Sequence, residues 1–221
     1  MRRVRTRPND RYSNGKRMKL IGMLDSPYVR RVAICLKLLE LDFEHRPVSV
    51  FSDFEEFRKL NPVVKAPTLI LDDGQSLMDS TLILDYVTCL VRSDAPLAPH
   101  HAEDRLRATR LTGLALAACD KAVQIVYERN LRPVEKQHEP WVDRVSAQLL
   151  AAHAGLEAEL ASGTLPVDAG RLGQAGVTVA VAWRFTQMMV PKIVIAGEYP
   201  NLQSFSVFAE QQPAFVSTPP E

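Results

Sequence analysis

The chain has 221 residues, 46% hydrophobic and 24% charged, with a formal net charge of +1, enough length for one large domain or two modest ones. Its charge is uneven: residues 1–17 hold seven Lys or Arg against Asp10 alone, which leaves about −5 for residues 18–221. An acidic body disfavours nucleic acid as a partner, although the basic arm alone could hold polyanions weakly, and no apolar run reaches the roughly eighteen residues that span a bilayer.

Residues 1–17 carry almost no apolar side chain and cannot order themselves by burial. They lack the apolar run of a secretory signal, so they are expected to be a basic, disordered extension, with Met18 opening the functional body. Lys19–Leu24 then predicts a strand, Pro27–Glu40 a helix with Val32, Cys35, Leu36 and Leu39 on one face, and Phe43–Val48 a second strand. Phe54–Leu60 predicts a short helix that stops before Asn61-Pro62, because a residue preceding proline is pushed out of helical space. Thr68–Leu71 and Gln75–Met78 flank the turn signal Asp72-Asp73-Gly74, and a helix follows from Ser80 to Arg92.

The order βαβαββα over residues 18–92 describes a domain with its own small mixed sheet. Residues 93–102, with two prolines among polar residues, read as a linker. Residues 103–221 read as all-helical, which makes the chain α+β as a whole. Leu111, Leu114, Ala115, Ala118, Ala122 and Ile125 share one helix face, and Val142, Val145, Leu149, Ala152 and Leu156 another. Val177–Met189 is apolar almost all round and suits a helix at the centre of a bundle, ended by Pro191. Cys35, Cys89 and Cys119 are odd in number and far apart, which supports neither disulfides nor a zinc site and fits a reducing cytoplasm.

Three short segments fall at the junctions of the first domain. Ser26-Pro27 is a strong helix start, with serine as N-cap and proline at the first helical position. The same geometry suits an anion, and a hydroxyl at a helix N-terminus lowers the pKa of a bound thiol. Ser26-Pro27-Tyr28-Val29 also resembles the Cys-Pro-Tyr-Cys of glutaredoxins with both cysteines replaced, which removes disulfide exchange and leaves a place for another molecule's thiol. Ala66-Pro67 lies between a helix and a strand. A cis bond there would present the Ala66 backbone to an extended peptide; a trans bond would merely open the strand. Asp79-Ser80 opens the next helix, and serves either as a cap or as a holder of a ligand's carboxylate and ammonium.

With Asn61-Pro62, Lys65-Ala66-Pro67 and Tyr199-Pro200-Asn201-Leu202, these segments make residues 18–221 resemble the bacterial cytosolic glutathione S-transferases of the serine type. The resemblance implies a thioredoxin-like N-terminal domain, an all-helical C-terminal domain, a homodimer and glutathione as co-substrate. It implies that Ser26 stabilises the glutathione thiolate, that Ala66 beside Pro67 pairs with the cysteinyl unit, that Asp79 and Ser80 hold the γ-glutamyl end, and that Lys65 lies near the glycyl carboxylate. A small apolar electrophile would be conjugated, as in detoxification, in a pocket near Tyr127 and Arg129. The chain departs from the pattern at Asp79, where relatives often carry Glu, and in having no Tyr between Met18 and Ser26. It departs again at Gly173-Gln174-Ala175-Gly176, where relatives often carry a Ser/Thr-x-x-Asp capping box. Gly173→Ser with Gly176→Asp is therefore expected to stabilise by about 1 kcal/mol.

The remaining reactive side chains carry less. His100-His101 reads as solvated linker, His45 and His153 as isolated, Cys35 as packed and inert, and no metal site is expected. Arg30 and Arg31 read as one solvated residue and one partner for a nearby acid. Two readings of function follow: a glutathione transferase, or a non-catalytic binding or interaction protein of the same fold. A glutathione-dependent reductase would need a cysteine at position 26.

Overall fold

A computed structural model describes residues 18–91, 97–99, 101–163 and 172–220. The predicted extension 1–17, Arg92 and much of the linker lie outside the described residues. The chain divides into two compact units, Met1–Ala95 with Thr218–Glu221, and Pro96–Ser217.

The first unit is thioredoxin-like. Strands β1 (Met18–Ile21), β2 (Phe43–Arg46), β3 (Thr68–Ile70) and β4 (Ser76–Met78) form one sheet in the order β2-β1-β3-β4. β1 pairs with β2 in parallel, from Met18 opposite Phe43 to Ile21 opposite Arg46, and with β3 antiparallel, with Ile21 opposite Thr68. Helices α1 (Pro27–Leu38), α2 (Phe54–Leu60) and α3 (Ser80–Leu90) complete it. Leu20, Ile21 and Leu69 are fully buried, as are Val29, Val32 and Leu36 of α1 and Ile83, Leu84 and Val87 of α3. Val64 and Ala66 pack on Ile21, Val48 and Phe57.

α1 ends two residues before the sequence expectation. Glu40 has φ 55°, its N–H donates to the Lys37 carbonyl and the Leu41 N–H to the Leu36 carbonyl. This is a Schellman closure with a glutamate in the left-handed position that glycine normally fills. α1 is also buried on more than one face. Arg30 and Arg31 are 2% and 1% exposed, which corrects the expectation that one of them is solvated.

The second unit is helical: α4 (Ala102–Asn130), α5 (Glu139–Ala161), α6 (Gln174–Met189), α7 (Pro200–Glu210) and the short α8 (Pro213–Val216). The two predicted faces are buried except for Leu114, which is partly exposed. α6 runs through the centre with Val177 to Ala182 all buried, and its Thr178 and Thr186 hydroxyls donate to the Gln174 and Ala182 carbonyls. Such back-bonding satisfies hydroxyls that burial would otherwise leave unpaired. α7 starts without a cap of its own. Instead Glu157 of α5 accepts from the Asn201 N–H at 2.9 Å and the Leu202 N–H at 2.9 Å, so a carboxylate from another helix neutralises the exposed donors. No described helix is long and apolar enough to cross a membrane.

Candidate functional site

The site grows from the N-terminus of α1. Ser26 is in extended backbone (φ −67°, ψ 122°), and its Oγ accepts from the Val29 N–H at 3.4 Å, with Pro27 at the first helical position. That bond is at the long end of the useful range, so the hydroxyl is only lightly held. Gly22 sets how closely the neighbouring loop approaches that turn. Gly22, just after β1, has φ 133°, and a Cβ there would fall 2.6 Å from Val29 Cγ2 and 3.1 Å from Ala66 Cβ. Only glycine allows the first turn of α1 and the Ala66 loop to come this close.

The Ala66 loop is shaped from beneath. Asn61, 5% exposed, donates through Nδ2 to Thr68 Oγ1 at 2.8 Å and accepts through Oδ1 from the Val63 N–H at 3.0 Å. Thr68 passes the chain on by donating to the Lys65 carbonyl at 2.8 Å. Ala66-Pro67 is cis and Val64 has φ 52°, a conformation rare for a β-branched residue. Ala66 is half-buried and lies before the strand ladder, which begins at Thr68.

α3 supplies the third part. Asp79, at φ 71°, caps it by accepting from the Thr81 N–H at 2.9 Å. Lys65 Nζ stands 3.7 Å from Asp79 Oδ2, with both side chains about half exposed, a contact worth little by itself. Ser80 is 3% exposed. Its Oγ accepts from Arg31 Nη1 at 3.0 Å, and the exposed Thr81 Oγ1 accepts from the same nitrogen at 3.2 Å. A buried guanidinium thus ties α1 to the start of α3. Two backbone outliers, Val64 and Asp79, border this region; retained strain of this kind concentrates at functional sites.

The structure therefore brings together Lys65 with Asp79, and Ser80 with α1, while Gly22 sets Ala66 against the turn that Ser26 caps. Sequence alone assigns no role in the site to Gly22, Asn61 or Arg31: Asn61 stands out as a helix stop and as part of the Asn61-Pro62 pair, Arg30 or Arg31 as a partner for an acid, and a lone glycine after a strand is the sign of Gly22. Cys35, further along α1, is fully buried; burial pushes its thiol up to about 12 although the Arg31 charge pulls the other way. It is packed in the core, as its place in the helix pattern suggested.

In the second unit Tyr127, Leu131, Arg132, Lys136 and Trp141 border a shallow cavity of about 540 Å³ at the α4–α5 turn. Arg129 takes no part in it: its guanidinium holds Glu139, at 2.8 Å through Nη2, and Gln137. Among the described residues no cluster of His, Cys, Asp and Glu is arranged to hold a metal.

The glutathione S-transferase N-terminal domain model matches residues 20–93, which include every residue of the first-unit site. The maleylacetoacetate isomerase of Pseudomonas aeruginosa is 32% identical over 146 residues, covering 61% of this chain and 67% of that protein. The chain belongs to the glutathione S-transferase family. A second relative in this family comparison, the uncharacterized GST-like protein YibF of Escherichia coli, is 27% identical over 201 residues and covers 89% of this chain and 98% of its own. Among solved structures, a glutathione S-transferase of Methylobacterium radiotolerans in complex with glutathione sulfonate superposes with a TM-score of 0.82 at 26% identity, covering 92% of this chain and 95% of that one. The thioredoxin-like unit followed by a helical one is the glutathione transferase fold.

Proposed function

We propose that this chain is a serine-type glutathione S-transferase of the bacterial cytosolic kind, conjugating glutathione to a small apolar electrophile. The observation that carries the reading is the lightly held Ser26 hydroxyl at the start of α1, whose first turn at Val29 and the Ala66 loop both close on Gly22. In this reading the Ser26 hydroxyl donates to the glutathione sulfur, the helix N-terminus favours its negative charge, and the thiol proton leaves to solvent. The thiolate then attacks the electrophilic carbon; a C–S bond forms as the leaving group departs with its electron pair. No covalent protein intermediate is needed, and the enzyme's work is positioning and thiol activation. Ala66 beside Pro67 pairs with the cysteinyl backbone, Asp79 takes the γ-glutamyl ammonium, Ser80 its carboxylate, and Lys65 the glycyl end. Complexes of similar proteins with glutathione sulfonate and with glutathione support the choice of ligand.

The second reading, a non-catalytic member of the fold, is favoured by one observation: Asp79, one methylene shorter than Glu, is already engaged by Thr81 and Lys65. Calorimetric titration of glutathione into wild type and Ser26→Ala, with the ultraviolet thiolate band followed against pH, separates the two. A transferase shows a bound thiol with a pKa well under the free value of about 8.5, raised in Ser26→Ala. Binding without that shift leaves the interaction protein. A cytoplasmic homodimer completes the proposal, and exposed Phe51, Phe54, Val63 and Leu82 in the first unit fit a covered face; sedimentation at micromolar concentration tests it.

A further inference from the structure

From the proposed glutathione reading we infer that Arg31 is a positioning residue that makes the start of α3 select a carboxylate. The argument begins with hydrogen-bond direction. A guanidinium has donors and no acceptor, and it keeps its charge at any pH the fold survives. Arg31 Nη1 carries two hydrogens, and two hydroxyl oxygens stand before it: Ser80 Oγ at 3.0 Å and Thr81 Oγ1 at 3.2 Å. Both oxygens therefore act as acceptors toward α1, and the hydrogens of both hydroxyls turn to other partners. Left alone, a serine or threonine hydroxyl rotates to donate or accept as its neighbour requires. With Arg31 behind them, Ser80 and Thr81 are biased to donate.

Burial strengthens the effect. Arg31 is 1% exposed, so its field is screened far less than that of a surface cation. It adds to the partial positive charge at the N-terminus of α3, an eleven-residue helix. An incoming carboxylate meets donors whose orientation was set before it arrived, whereas an uncharged group in the same place gains much less. The ammonium of the same ligand is left to Asp79, the capping carboxylate itself. Lysine cannot reproduce this arrangement fully, because its ammonium is a point charge without the planar fork.

The test compares two ligands within each variant, so that any general loss of fold acts on both alike. Glutathione and 4-aminobutyryl-cysteinyl-glycine, which keeps the ammonium and thiol but lacks the γ-glutamyl carboxylate, are titrated into wild type, Arg31→Met, Arg31→Lys and Thr81→Val. Wild type is expected to prefer glutathione by about tenfold or more, the size of one hydrogen bond to a charged group. Arg31→Met brings the ratio close to one, and Arg31→Lys restores part of it. Thr81→Val alters an exposed side chain, so it keeps the comparison available if Arg31→Met does not fold; it lowers the ratio about threefold. A preference that survives unchanged in Thr81→Val and in any folded Arg31→Met overturns the inference and leaves the glutathione reading standing. Wild type that binds neither ligand overturns both.

Discussion

At the scale of the residue, His153 shows how a polar group changes character by burial. It is fully buried, its ring lies 5.7 Å from Trp183 and 5.9 Å from Tyr199, and Nδ1 donates to the Leu149 carbonyl at 3.0 Å. Nε2 has no hydrogen-bond partner, and desolvation holds the pKa below the ordinary value. Such a histidine stays neutral in the folded state while the unfolded chain takes up a proton. Its contribution to stability is therefore whole above the unfolded pKa of about 6.5 and is lost as pH falls toward the lower folded value. Thermal melts should show Tm declining from pH 7 to pH 5, with a shallower decline in His153→Phe; an equal slope would remove His153 from the account. Ser26 and Asp79 were legible as caps because capping is local chemistry. Arg31 was not, because its burial depends on a serine 49 positions away. Asn61 was legible as a helix stop but not as the support of the loop after it: Asn61→Ala leaves Thr68 and the Val63 N–H short of a partner, and should cost about 1–3 kcal/mol in urea unfolding.

At the scale of the element, helix ends hold the largest departures from the simple pattern. Glu40 occupies a left-handed position at φ 55° and is exposed. Glu40→Gly removes a backbone penalty of about 1 kcal/mol at the cost of a looser unfolded chain, so a net gain of a few tenths to about 1 kcal/mol is expected by chemical denaturation. α6 begins at Gly173 with no side-chain cap, as the glycine-rich sequence suggested. There Gly173→Ser should raise stability by about 0.3 kcal/mol, because glycine is itself a tolerable N-cap. Gly176→Asp, the other half of the expected capping box, fares worse: its Cβ would stand 2.9 Å from Leu172 Cδ2 and 3.5 Å from Phe205 Cζ in a buried position. The double variant should melt no higher than Gly173→Ser alone. Periodicity located the helices well, since α2 spans the predicted Phe54–Leu60, but it carries no information about the space around a glycine.

At the scale of the whole molecule, the fold was readable because strand, helix and turn signals agreed along the chain, and agreement between levels is what makes a sequence specify a structure. The last residues were the exception. Thr218 groups with the first unit, is 3% exposed, and its carbonyl accepts from Arg30 Nε at 2.9 Å across 188 positions. Nothing local in Ser217-Thr218-Pro219-Pro220 announces that role. Removing residues 218–221 takes an acceptor from a buried guanidinium, and should lower the unfolding midpoint by an amount equivalent to about 1–3 kcal/mol. Arg30→Met in the truncated chain should recover part of the loss, because no buried charge is then left short of a partner.

The cap that Glu157 provides has a consequence for order in time. The instruction to start α7 is stored in α5, 44 positions before Asn201, so residues 200–210 alone lack what they need to begin a helix. A peptide of that sequence should be largely unstructured in water, and in the intact protein the first amides of α7 should exchange with deuterium at the same rate as the last turns of α5. The two helices would then open as a single event, and Glu157→Gln would let the start of α7 fray ahead of its partner.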